Sequence, residues 1–176
     1  MKLPLNTVVR NVLAIWGAVC AVIVAAAAVF AVYSLSANKL RHDRATKSDV
    51  HFVLNWPELG DERIEKVVHS FESGTHFSGD HFNAYAIRVT YLSESELSPE
   101  RRWVRGDRLD DLMKEAVQFV TEAGDRAPWF PTAEDLLSDK YYVWRWRVEV
   151  MDRVSAATLI FARPADRMIF YASLEV

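Results

Sequence analysis

Tyr141-Tyr142-Val143-Trp144-Arg145-Trp146-Arg147-Val148-Glu149-Val150 decides how this chain folds. Aromatic and β-branched residues crowd it, and such residues favour a pleated strand. A period of two places Tyr142, Trp144, Trp146, Val148 and Val150 on one face and Tyr141, Val143, Arg145, Arg147 and Glu149 on the other. Two further strand-like runs follow, Val154 to Ala162 and Arg167 to Glu175. Met151-Asp152-Arg153 and Arg163-Pro164-Ala165-Asp166 join them, and both links are too short for a crossover helix. The three strands are therefore expected to form an antiparallel meander.

Working back toward the N-terminus, Arg108 to Ala123 reads as a helix. Asp107 stands as its cap, Gly124 ends it, and Leu109, Leu112, Met113, Ala116, Val117 and Val120 form one apolar stripe. The Tyr142/Trp144/Trp146 face is expected to pack inward on that stripe. Thr132 to Leu137 supplies one or two helical turns, and Arg102-Trp103-Val104 a short extended piece. Ser93 with Glu96 reads as a capping box, and Asn83 to Leu92 as a strand. Ile64, Val67, Val68 and Phe71 have helical spacing after Asp61, and Val50 to Trp56 reads as a strand stopped by Pro57. The expected class is α+β: an antiparallel sheet of about five strands with two or three helices packed mainly on one face.

The first part of the chain is of another kind. No charged side chain occurs from Asn11 to Asn38. A run of that length exceeds the roughly 20 apolar residues that cross a bilayer as a helix, so residues 11–36 are expected to form a single transmembrane segment. It follows a tail at 1–10 and leads through a basic connector at 37–49 to a soluble domain at 50–176. A signal peptide nicked near Ser36-Ala37 is the alternative, but the apolar core of such a peptide is only about 7–15 residues. Ala14, Gly17, Ala18, Ala21 and Ala25 lie near one side of the segment, and small residues at such spacing let two helices approach closely. Self-association is one expected consequence.

Charge divides the chain. Residues 1–48 carry +5 and the remainder −8, giving −3 in all. An acidic domain does not suit nucleic acid, whose binding depends on neutralising phosphates. Lys2 and Arg10 precede the apolar run, and Lys39, Arg41, Arg44 and Lys47 follow it. Read alone, that count places the domain in the cytoplasm. A short basic tail before an apolar run is also the mark of a signal-anchor, which would export the domain; the extracytoplasmic side is the orientation expected here. Cys20, the sole cysteine, lies in the apolar run, so cysteine usage says nothing of the domain's redox compartment.

No Gly-x-Ser-x-Gly elbow, phosphate loop, dinucleotide fingerprint or His-Glu-x-x-His occurs. His76, Asp80 and His81 form the one loop whose residue types suit a metal ion, at a spacing that fits no zinc signature; a solvated turn explains them equally. Trp129 and Phe130, between two prolines, and Arg145 and Arg147, on the aromatic strand, are candidates for contact with a partner. The ordinary alternatives are a loop folded back on the core and a solvated strand face. No cofactor is expected. The expected function is that of a membrane-anchored module for protein binding or assembly, in a bacterial cell envelope, with a membrane-protein partner. A metal-dependent hydrolase using His76, Asp80 and His81 is the alternative.

Overall fold

The computed structural model describes residues 13–30, 45–73 and 81–176. The chain divides into two units, Met1–Arg41 and His42–Val176. In the first, helix α1 (Leu13–Phe30) has a mean hydropathy of 2.6 and is long and apolar enough to cross a membrane. Its 18 residues at about 1.5 Å each span about 27 Å, close to the ~30 Å of a bilayer core. The remaining residues of the expected 11–36 segment lie outside those described.

The second unit is α+β. Its elements are α2 (Lys47–Asn55), β1 (Ile64–Glu72), β2 (His81–Val89), β3 (Trp103–Arg105), α3 (Asp111–Thr121), α4 (Ala133–Leu136), β4 (Tyr142–Val150), β5 (Val154–Arg163) and β6 (Met168–Glu175). The strands form one six-stranded sheet in the order β1-β2-β6-β5-β4-β3. Every neighbouring pair is antiparallel, so β4, β5 and β6 form the expected meander.

Both faces of the sheet are buried. Phe82, Ala84 and Ala86 of β2, and Phe170, Ala172 and Leu174 of β6, share one core layer with Met113, Ala116, Val117 and Val120 of α3 and Leu136 of α4. Tyr85, Ile87 and Val89, with Ile169 and Tyr171, share the other with Val50, Val53 and Leu54 of α2. Two of the three helices thus share a face, and α2 covers the reverse.

Four local expectations are corrected. Val50 to Asn55 is helical, not extended, and Trp56 caps the helix end. Thr46 and Asp49 make a capping box, and Val50, Val53 and Leu54 then fall on one helical side. Ile64 to Phe71 is a strand, not a helix. Register shifts at Ile64/Lys66 and Val67/His69 each absorb a residue, so Ile64 and Val67 face the α2 layer while Val68 and Phe71 face the α3 layer. A helical spacing is thus built from a twice-bulged strand. The long helix begins later than expected: Asp110, not Asp107, caps it by accepting the Met113 N–H at 2.8 Å, and Leu112 turns outward.

The fourth correction concerns the tryptophans. They do not pack on α3. Trp144 lies in the α2 layer, while Tyr141 and Val143 face α3. A register shift between Arg145 and Arg147 then breaks the alternation, so Val148 returns to the α3 layer; Trp146, on the Trp144 face but past the end of β3, is half exposed at 50 %.

Candidate functional site

The site that stands out is where β4 outruns its neighbour. β3 pairs with β4 only from Trp103↔Trp144 to Arg105↔Tyr142. Beyond that, from Arg145 to Val150, β4 has β5 on one side and no described strand on the other. Local chemistry keeps β3 short. At one end Arg102 takes φ 64°, a left-handed conformation that turns the chain off the strand line. At the other, Gly106 lies against α4's exit: a Cβ there would sit 2.2 Å from the Leu136 carbonyl oxygen and 2.6 Å from that of Ser138.

Aromatic rings flank the open edge. The indoles of Trp56 and Trp146 are stacked, 4.4 Å apart and 8° from parallel. Trp144 continues the column 6.0 Å from Trp146, and the Arg102 guanidinium sits 4.9 Å from the Trp144 ring centre. Trp144 is fixed by donating its indole N–H to the Arg101 carbonyl at 3.2 Å. On the α3 face, a cleft of about 290 Å³ opens where β3 ends. Val104, Leu109, Met113 and Val143 make it apolar, and Arg102, Arg145 and Asp110 rim it. Asp110 is engaged as the helix cap. Neither Arg102 nor Arg145 forms an ion pair with a described residue.

Arg147 differs from Arg145. Its guanidinium meets Glu149 at 2.6 Å and Glu175 at 3.4 Å. The hydrogen bond with Glu149 raises its pKa above the ordinary arginine value. The two arginines chosen from sequence therefore share the open edge, but among the described residues only Arg145 of the pair is without a carboxylate.

The aromatic loop candidates lie elsewhere. Phe130 is buried, edge-on to Phe161 and Phe170. Trp129 is half-buried and stacks on His69 with ring centres 5.2 Å apart. Of the metal candidates, His76 and Asp80 lie outside the described residues. His81 is in β2, its Nε2 3.4 Å from Ser173 Oγ and its Nδ1 3.9 Å from Glu175. Among the described residues, no group of three ligating side chains is placed to hold a metal ion. Ala14, Gly17, Ala18, Ala21 and Ala25 all lie exposed along α1.

The Ser173, His81 and Glu175 sequence of contacts resembles a nucleophile, base and acid, but the setting does not serve acyl transfer. Ser173 lies within β6, which is paired on both sides, so the ladder occupies the local backbone N–H groups that an oxyanion would need. Its hydroxyl also bonds Thr158 at 2.9 Å. The chain of contacts instead satisfies buried polar atoms. Nearby, burial pushes the phenol of Tyr85 well above the ordinary tyrosine pKa and raises that of Tyr171, and Tyr85 also donates to Glu72 at 2.6 Å.

Sequence reasoning missed Trp56 and Arg102. Trp56 was hidden by reading its segment as a strand; Arg102 gave no signal, because its role comes from a turn. Compared with protein-family models, with curated proteins and with solved structures, the chain matches none.

Proposed function

We propose that this protein is a membrane-anchored binding module whose recognition surface is the open edge of β4. The observation that carries this reading is the overhang itself. Residues Arg145 to Val150 offer a strand edge beside a half-exposed Trp146, an indole stack and an arginine with no carboxylate partner among the described residues. An uncovered edge is a template for another chain, and proteins ordinarily shorten, cover or charge it. Here charge and a bulge restrict which chain can pair without covering the edge. Tryptophan and arginine are the residue types most enriched at energetic centres of interfaces. An apolar helix such as α1 supports the anchored part of the reading, since a tether raises the domain's effective concentration near other membrane proteins. The extracytoplasmic side of a bacterial envelope belongs to the same proposal.

Affinity capture from detergent-solubilised membranes of the source cells tests it. The full chain should retain a specific membrane-protein partner. The double variant Trp146→Ala with Val150→Lys should lose that partner, and Glu65→Lys on the opposite edge strand should keep it. Retention by the double variant would refute the assignment of the β4 edge.

A further inference from the structure

We infer that the open edge of β4 receives the carboxyl-terminal end of an extended peptide, added as a seventh strand antiparallel to β4. This rests on the binding-module reading above and specifies its ligand. The position opposite Arg145 on the β3 line is held by Arg102, which φ 64° turns away from the sheet. A strand laid beside Trp146 to Val150 therefore runs up against Arg102 and must end there. Its direction fixes which end arrives. Antiparallel to β4, as β3 is, it brings its carboxyl end to that wall. Parallel to β4, it would bring its amino end.

Charge selects the antiparallel direction. Arg102 is held over Trp144 on the α2 face, and Arg145 rims the cleft on the α3 face. The two guanidiniums bracket the end of the edge, and neither is in an ion pair with a described residue. A terminal carboxylate is stabilised between them, whereas a terminal ammonium is repelled. The acidic groups nearby do not cancel this. Asp110, the cap of α3, is one carboxylate against two guanidiniums at the rim of the cleft, and Glu58 and Glu100 line a second cleft with Arg101 as well as Arg102. Further along, Arg147 and Glu149 satisfy each other. The apolar cleft of Val104, Leu109, Met113 and Val143 opens at the same junction, so the last side chain of the peptide on the α3 face is apolar. Main-chain bonds to β4 supply sequence-independent affinity, and the cleft and the arginines supply selectivity.

The test uses an array of synthetic peptides about six residues long, the usual strand length, ending in Val, Leu, Ile or Lys. Each is made as the free acid and as the amide, and probed with the full chain in detergent micelles. The inference expects the free acids ending in an apolar residue to bind about tenfold or more tightly than their amides, as loss of a charge-assisted contact requires. Arg145→Gln should abolish that preference while leaving the circular dichroism melting curve unchanged, because Arg145 is exposed. Equal binding of acids and amides, or no binding by any peptide, would overturn the inference. The broader reading fails separately: it stands if the Trp146→Ala/Val150→Lys chain still loses its membrane partner, and falls if that partner is kept.

Discussion

Truncating the two tryptophans of β4 separately probes the overhang of β4 beyond β3 on which the candidate site depends. Trp144 is 1 % exposed and Trp146 50 % exposed, although two positions apart on one strand. Replacing a fully buried tryptophan by alanine costs about 3–5 kcal/mol. Trp144→Ala also removes the bond to the Arg101 carbonyl, worth about 1 kcal/mol, and the contact with Arg102. Trp146→Ala forfeits its half-burial, about 1.5 kcal/mol, and the stack on Trp56, about 0.5–1.5 kcal/mol, for a total of about 2–3 kcal/mol. The expected gap between the variants is therefore about 2–3 kcal/mol. Urea unfolding of the full chain in detergent, followed by far-ultraviolet circular dichroism, measures it. At a slope near 2 kcal/mol per molar, the midpoints should differ by about 1–1.5 M. Equal losses, or a larger loss for Trp146→Ala, would show that Trp146 is buried as Trp144 is and that the β4 edge beyond β3 is covered.

Gly106→Ala should lower stability by about 2–3 kcal/mol or more in the same assay, because its Cβ meets two carbonyl oxygens of the segment leaving α4. Asp110→Ala should cost about 1 kcal/mol by uncapping α3, with little change in slope. Tyr85 and Tyr171 have raised pKa values when folded, so the folded state holds their protons more tightly than the unfolded state does. That contribution is complete below the unfolded pKa of about 10 and is lost as pH rises above it; Tyr85→Phe should therefore move alkaline unfolding to higher pH. Replacing Ala21 and Ala25 by isoleucine should reduce cross-linking of the full chain in membranes several-fold if the small-residue side of α1 pairs helices.

The sheet's meander was legible because β5 and β6 keep their alternation and their connections exclude crossovers. The short β3, the 3₁₀ turn capped by Ser93 and the α3 stripe were legible for similarly local reasons. Three elements were not, and in two of them a bulge is the cause. In β1, two inserted residues turn a period of two into the i, i+3, i+4, i+7 spacing of a helix. In β4, one insertion sends Trp144 and Val148 to opposite layers, which no pattern count can show before the register is known. Val50 to Trp56 failed for another reason. Its β-branched and aromatic residues outweighed Thr46 and Asp49, a helix start visible in the sequence and passed over. Arg145 and Arg147 were selected from a strand pattern, yet only the fold distinguishes them: Arg147 is held by Glu149 and Glu175, and Arg145 has no carboxylate partner among the described residues.

Hydrogen exchange along β4 tests the central claim most directly. Amides from Trp146 to Val150 are to be followed in the full chain in detergent, alone and with its captured membrane partner. A partner strand bonded to this edge should slow exchange there by about tenfold or more and leave Ile64–Glu72, on the opposite edge, unchanged. Unchanged exchange from Trp146 to Val150, with protection appearing at another surface, would contradict the account.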